Sequence, residues 1–321
     1  MISKTTATDL TARPYVKWAG GKSQLLPQFQ LCYPPELASG QITRYVEPFV
    51  GSGAVLFDVA SRFALSDLIV IDRNPRLMLT YEVIQSDVEA LIARLEALQA
   101  QYWAADQEVR HALYYEMREA YNRRQASDVE QAAQFIFLNR TCFNGLYRVN
   151  RRGNFNVPMG RYRRPRIADA DNLRRVHEVL QQVTLRVGDY RLATDFIDAR
   201  TFVYCDPPYR PLTRTASFTA YSDELFTDQN QTELAAFARA SSRAGARVML
   251  SNSDPRNIDP ADDFFDRLYH DFTISRLPAR RSINSRSDRR GPVHELVITS
   301  YPLASAESAG EKQCASEASR S

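Results

Sequence analysis

Cysteine is scarce in this 321-residue chain: Cys32, Cys142, Cys205 and Cys314 stand far apart, with no CxxC pair and no compact Cys/His cluster. A disulfide framework or a structural zinc site needs such clustering, so neither is expected, and a reducing compartment follows. The opening residues MISKTTATDLTAR lack the apolar stretch of a secretory signal. Nowhere do about 18 apolar residues run together, as a membrane span requires. The expectation is a cytoplasmic protein with no membrane partner. Glycine (12) and proline (16) are not in excess, and 44% hydrophobic with 25% charged residues is an ordinary globular composition. Disorder, collagen and coiled coil are therefore poor readings. The net charge of +3 conceals its placement, because 41 basic residues nearly cancel 38 acidic ones while local stretches do not balance.

Short apolar and β-branched runs recur at 44–49 (RYVEPF), 68–72 (LIVID), 183–187 (VTLRV), 201–206 (TFVYCD), 247–252 (RVMLSN) and 295–301 (ELVITSY), and they read as strands. Helical patterns at 169–182 and 227–243 lie between some of them. The alternation predicts a doubly wound α/β sheet. From about 81 to 137 the signal is helical throughout, with Ile84, Val88, Leu91, Leu95 and Leu98 on one face. An Arg-, Asn-, Gly- and aromatic-rich stretch follows at 139–166. Residues 76–166 thus read as an insertion into the α/β domain formed by 1–75 and 167–304, with a flexible Ala/Ser/Glu-rich tail at 305–321.

The strand RYVEPF runs into Val50-Gly51-Ser52-Gly53-Ala54 and then a helical stretch, which lets a backbone loop approach a nucleoside-bearing ligand. A tight strand-to-helix turn is the equal alternative. Leu56 stands where a dinucleotide fingerprint needs a third glycine, which disfavours nicotinamide and flavin cofactors. Asp72 ends the next strand, where a carboxylate can accept from ribose hydroxyls or open the turn at Asn74-Pro75. Asp189 sits at a similar strand end, suited to an adenine amino group or to a helix cap.

Tyr204-Cys205-Asp206-Pro207-Pro208-Tyr209 carries the strongest chemical signal, since it follows an apolar strand and so falls at the carboxyl edge of the sheet. Two prolines forbid helix and hold the backbone extended, leaving the Asp206 carboxylate and the Pro207 carbonyl free as acceptors while Tyr209 offers a ring face. That is a pocket for a flat amine. An exocyclic amino group on a purine is a poor nucleophile because its lone pair is delocalised. Two acceptors on its N–H bonds favour a tetrahedral nitrogen that can attack, without a metal. A rigid turn is the lesser alternative. The earlier Lys17-Trp18-Ala19-Gly20-Gly21-Lys22 suits an anion or nucleotide contact, or simply buries a tryptophan before a turn.

Residues 139–166 hold Arg140, Arg148, Arg151, Arg152, Arg161, Arg163, Arg164 and Arg166, no acidic residue, and interleaved Phe143, Tyr147, Phe155 and Tyr162. Arginine meets phosphates and reads guanine, while aromatics stack or wedge at opened steps, so this is a nucleic-acid signature. A second basic stretch at 276–290 is open to phosphate contact or a mobile loop.

Taken together, KWAGGK, EPFVGSG, FLNRTCFNGLYRVNRRGNFNVPMGRY, YCDPPYRPLTRTASFTAY, RRSINS and HELVITSY strongly resemble DNA adenine methylases of the Dam type, over about residues 15–301. Their order resembles the alpha group of amino-methyltransferases. The resemblance implies a doubly wound S-adenosylmethionine-dependent methyltransferase sheet with an inserted helical and hairpin DNA-recognition domain. It also implies S-adenosyl-L-methionine as methyl donor and N6 of adenine in double-stranded DNA as acceptor, at GATC. By the same resemblance Trp18, Lys22, Asp72 and Asp206 match cofactor-binding positions, with Phe49, Gly51 and Gly53 beside the methionine moiety and Asp189 near the adenine. Asp206, Pro207, Pro208 and Tyr209 form the catalytic motif. Lys17, Asn144, Leu146, Arg148 and Tyr162 match recognition-sequence contacts, and Phe143 an aromatic that orders DNA around a flipped base. A monomer acting in the cytoplasm on the nucleoid is expected. The competing expectations are an N4-cytosine or RNA-adenine methyltransferase, whose pocket logic is the same, and a catalytically silent DNA-binding protein.

Overall fold

A computed structural model of the chain describes residues 11–210, 226–279 and 293–303. Seven strands form one sheet: β1 (Arg44–Glu47), β2 (Asp67–Asp72), β3 (Val183–Val187), β4 (Thr201–Cys205), β5 (Arg247–Ser253), β6 (Thr273–Ala279) and β7 (Val293–Thr299), in the order β3-β2-β1-β4-β5-β7-β6. The first five are parallel, and β7 lies antiparallel between β5 and β6.

Successive strand residues face opposite sides. Tyr45, Leu68, Val70, Phe202, Tyr204, Met249 and Val297 enter one apolar cluster; Val46, Ile69, Ile71, Val203, Cys205, Val248, Leu250, Leu296 and Ile298 enter the other. Burial on both faces explains why the central strands read as unbroken apolar runs rather than alternating ones. The first face carries the short helices α1 (Leu26–Phe29) and α2 (Pro35–Ala38) together with α3 (Ala54–Arg62), α4 (Pro75–Ser86) and α8 (Ala170–Leu180). The second carries α9 (Asp228–Arg243) and α10 (Phe264–Leu268). This is the doubly wound α/β architecture expected.

Local chemistry sets the helix starts. Asn74 accepts from the amides of Arg76 and Leu77 ahead of Pro75, and Thr227 forms a reciprocal capping box with Asn230. Each such cap stabilises its helix by about 1 kcal/mol.

Between α4 and α8 run α5 (Val88–Ala104), α6 (Gln107–Arg123) and α7 (Asp128–Thr141), with no strand among them. The apolar face expected from Ile84 to Leu98 is divided: Asp87 separates α4 from α5, although Ile84, Val88, Leu91, Leu95 and Leu98 are all buried. Helix α7 is buried nearly all round, from Ala132 through Asn139, and packs against α4, α5 and α6. A helix apolar on every side must be central. Its carboxyl end leads into a narrow hairpin in which Val149 pairs with Phe155 and Cys142 with Met159.

Strand β6 was not anticipated. It is an edge strand with an uneven burial pattern and Pro278 inside it, a residue the edge tolerates because no ladder donor is needed there. It also corrects the reading of Arg276, which is no open phosphate contact: its guanidinium reaches Asp254 at 2.9 Å and Asp266 at 2.8 Å. The remaining arginines of that basic stretch, the RRSINS segment, most of the residues after Tyr209 in the proline motif, Cys314 and the 305–321 tail lie outside the described residues. Among the described residues no helix is long and apolar enough to cross a membrane.

Candidate functional site

Strands β1 and β4 are parallel neighbours, with β2 on the far side of β1 and β5 on the far side of β4. This is the topological switch point, where the loops leaving the carboxyl ends diverge and open a crevice. The glycine loop leaves β1 there and the D-P-P-Y loop leaves β4.

Gly51 and Gly53 both adopt positive φ, at 48° and 74°. A side chain at Gly51 would come within 2.9 Å of the Trp18 ring, and one at Gly53 within 2.7 Å of the Tyr81 hydroxyl. Asp72, at the end of β2, accepts from the amides of Gly51 (3.0 Å) and Asn74 (2.9 Å). Tyr81 donates to the Gly51 carbonyl at 3.0 Å. Burial raises the Asp72 pKa against the pull of these amides. Asp72 therefore shapes the loop and opens the α4 turn, with acceptor sites remaining on its carboxylate. Phe49 stacks on Tyr190 at 5.4 Å and meets Phe226 edge-on at 6.0 Å. Asp189 caps the turn after β3, accepting from the Arg191 amide at 3.1 Å and pairing with that guanidinium at 3.3 Å.

Asp206 leaves β4 directly, and its carboxylate is not free as expected. Lys22, only 3% exposed, reaches both carboxylate oxygens at 2.6 and 2.7 Å, and Ser251 bonds one of them at 3.1 Å. The reason is burial, which raises the Asp206 pKa and would leave an unpaired charge costly; Lys22 and Ser251 offset that cost. Lys22 also donates to the Gly20 carbonyl at 2.7 Å, lies 4.7 Å from the centre of the Tyr209 ring, and stands 3.6 Å from Glu295. The Tyr209 hydroxyl bonds Glu295. Tyr204 reaches Ser251 at 2.8 Å, and Gln231 of α9 bonds both Asn252 and the Pro208 carbonyl at 3.4 Å. Glu47, buried at the end of β1, accepts from Tyr45 at 2.9 Å. Burial, and the nearby Asp206 and Asp72, push its pKa well up.

The basic segment is organised by Asn139, only 3% exposed at the end of α7. Its side chain accepts from the Lys17 amide (2.8 Å) and donates to the carbonyls of Lys17 (2.8 Å) and Gly145 (3.1 Å). The turn at 143–146 is thereby tied to Lys17, whose ammonium lies 3.4 Å from the Tyr162 hydroxyl. Asn144 takes a positive φ of 55°. Phe143 (50%) and Leu146 (38%) stand exposed on this turn. Arg148 reaches Asn156 across the hairpin at 2.8 Å, and a groove of about 480 Å3 is lined by Arg148, Asn150, Arg151, Arg152, Asn154 and Asn156. Not every arginine of the segment faces outward: Arg140 turns in to the Tyr15 carbonyl, Arg164 lies over Trp103, and Arg166 pairs with Asp169. Among the described residues no ion pair holds Arg148, Arg151, Arg152, Arg161 or Arg163.

Trp18 joins the two regions, stacking on Tyr147 of the hairpin at 5.6 Å and on Phe135 of α7 at 6.5 Å while its ring edge closes on Gly51. Lys17 and Lys22 thus reach opposite ends of one short segment. Sequence reasoning missed Glu47, Gln231, Ser251, Asn252 and Glu295. The available signal was an acidic residue at a strand end in EPF and within HELVITSY, and polar residues closing the RVMLSN strand.

The sequence model of the D12 class N6 adenine-specific DNA methyltransferases matches residues 18–283. The Type II methyltransferase M.MjaIII of Methanocaldococcus jannaschii is 44% identical over 91% of this chain and 100% of its own length. The Type II methyltransferase M1.LlaDCHI of Lactococcus lactis subsp. cremoris is 34% identical over 91% of this chain and 96% of its own. The DNA adenine methylase of Escherichia coli K12 is 34% identical over 90% and 96%.

Proposed function

The chain belongs to the D12 class of N6 adenine-specific DNA methyltransferases, and from that premise we propose that it methylates adenine in double-stranded GATC, using S-adenosylmethionine and a base flipped into the D-P-P-Y pocket. The observation that carries the reading is the assembly of Lys22, Asp206, Tyr209 and the glycine loop at the β1/β4 switch point.

The donor set suits a cationic sulfonium: the Asp72 and Asp206 carboxylates stand at the two loops, with Lys22 against Asp206. Asp72 and the Phe49–Gly53 loop would hold the nucleoside and methionine portions, with Trp18 closing behind Gly51 and Asp189 beside the adenine end. S-adenosylmethionine bound there supplies an electrophilic methyl carbon, and transfer to N6 leaves S-adenosylhomocysteine, N6-methyladenine and one proton.

Asp206 and the Pro207 carbonyl accept the two N–H bonds of the target amine, making its lone pair available and stabilising the positive charge that develops on nitrogen. Lys22 on both oxygens and Ser251 on one take three of the roughly four acceptor sites of the Asp206 carboxylate, so one site remains for the amine. Pro207 and Pro208 keep these acceptors extended with little ordering cost, and Tyr209 stacks on the base. Residues 76–166 act as the recognition unit. Lys17, Asn144, Leu146, Arg148 and Tyr162 read the site, Phe143 supports the opened step, and the unpaired arginines track phosphates. The catalytic parts are then 1–75 and 167–304, and the enzyme works as a monomer on the nucleoid.

Purified protein is given labelled S-adenosylmethionine and two duplexes differing by one base in GATC, and the nucleosides are analysed. N6-methyladenine in the GATC duplex alone is the expected result. Label in both duplexes discards the sequence assignment and keeps the chemistry; label as N4-methylcytosine replaces the acceptor.

A further inference from the structure

Glu295 has no part in the reading above, yet it touches that pocket twice. It projects from β7, 86 positions after Tyr209, where its carboxylate accepts from the Tyr209 hydroxyl and stands 3.6 Å from the Lys22 ammonium. Lys22 at the same time holds both oxygens of Asp206 and lies under the Tyr209 ring. One ammonium therefore serves two carboxylates, and one carboxylate holds the ring against which the base would stack.

We propose that Glu295 is a positioning residue for methyl transfer, fixing the Tyr209 ring through its hydroxyl and competing with Asp206 for Lys22, so that its ionised form makes Asp206 the stronger acceptor. The inference rests on the D-P-P-Y pocket assigned above. With both carboxylates ionised, the trio carries one net negative charge, which favours positive charge developing on N6; with Glu295 protonated the trio is neutral.

The charged and titratable groups facing Glu295 are Lys22 from the amino-terminal segment and Asp206 and Tyr209 from the D-P-P-Y loop. Ser253 of β5 and Leu277 of β6, opposite it in the sheet, carry no charge. Burial, reinforced by Asp206 and opposed by Lys22, brings the Glu295 pKa up to about 7. Its ionisation then falls near neutral pH. A glutamate that served packing alone would produce no such coupling between ring, lysine and pH.

The test compares kcat and KM for wild type, Glu295→Gln, Tyr209→Phe, the double variant and Asp206→Asn, on one duplex the wild type methylates, with equilibrium S-adenosylmethionine binding as the check of folding. Glu295→Gln is expected to lower kcat roughly 10- to 100-fold while KM for DNA and cofactor affinity stay within about threefold. Tyr209→Phe, which keeps the ring and loses the hydroxyl, should cost a similar factor, and the double variant should be no worse than either single one. Wild-type kcat should rise with an apparent midpoint near 7, and this rise should vanish in Glu295→Gln.

A rise that persists in Glu295→Gln, or losses that multiply in the double variant, overturns the proposal. Should Glu295→Gln fail to bind cofactor, Tyr209→Phe decides: wild-type kcat there removes the hydroxyl coupling and the proposal with it. Asp206→Asn separates the two levels. If it remains active, the pocket assignment itself is wrong; if it is inactive while Glu295→Gln behaves as wild type, only the role of Glu295 falls.

Discussion

The D-P-P-Y pocket and the arginine segment both gather charge, but they hold it in opposite ways. In the pocket, carboxylates sit at the ends of sheet strands, and a lysine almost wholly removed from solvent is shared between two of them. In the 139–166 segment, arginines 148, 151, 152, 161 and 163 stand exposed, with Phe143 and Leu146 also open to solvent. Buried charge is preorganised and shifts pKa values; exposed charge is available to an outside polyanion. The first arrangement suits bond making at one amine, the second suits tracking a long, uniformly charged partner.

Removing the central acceptor should show the contrast most strongly. Asp206→Ala is expected to lower turnover by about 1000-fold or more while leaving duplex affinity and its salt dependence near wild type. Quench kinetics beside fluorescence titration at two salt concentrations measure both halves, and near-normal turnover would remove Asp206 from catalysis.

Next comes the pH dependence of stability. Glu295 releases its proton near pH 7 in the folded chain but near the ordinary glutamate value when unfolded, so between these the folded state holds more protons and stability falls as pH rises. Glu295→Gln lacks this loss. It should be more stable than wild type above pH 7 by on the order of 2–3 kcal/mol, and equal or weaker near pH 4. Thermal melts at both pH values check the sign, and a stability gain confined to the acid side would contradict it.

The arginine segment should respond in selectivity rather than in turnover. Arg148→Ala is expected to narrow discrimination between the preferred duplex and a one-base variant by about 1–3 kcal/mol, with kcat on the preferred duplex little changed. Unaltered discrimination would assign Arg148 to phosphate or to the hairpin alone. The smallest effect is expected for Gly145→Ala. Its positive φ of 64° and the Lys17 Cβ at 2.7 Å both resist a side chain, so Lys17 must move at a cost of about 1–2 kcal/mol. Weaker DNA binding with unchanged cofactor binding is the outcome expected from competition binding assays, and weakened cofactor binding would show that the Lys17–Lys22 segment moves as one piece.

The sheet was largely legible because its central strands are buried on both faces: LIVI, FVYC and VMLS could hardly be anything else. Strand β6 was not, since an edge strand needs no apolar run and this one carries Pro278 inside it. The glycine loop and D-P-P-Y could be placed at the carboxyl edge of the sheet because each directly follows a strand. Their partners could not, since Ser251 and Glu295 are ordinary polar residues until β5 and β7 bring them beside Asp206 and Tyr209. Asn139 was seen only as part of a basic segment, although it ties Lys17 to the turn at 143–146.

The sequence by itself determined the elements whose cause is local: helix caps, apolar strands, the two positive-φ glycines that let Trp18 and Tyr81 approach, and the proline pair that keeps Asp206 off a helix. Tertiary structure alone decided which charges meet. A carboxylate on β4, an ammonium 184 positions earlier and a second carboxylate on β7 share one small space only because the sheet sets β1, β4, β5 and β7 side by side. Desolvation and Coulomb interaction depend on distance in space, and neither is written in the spacing along the chain.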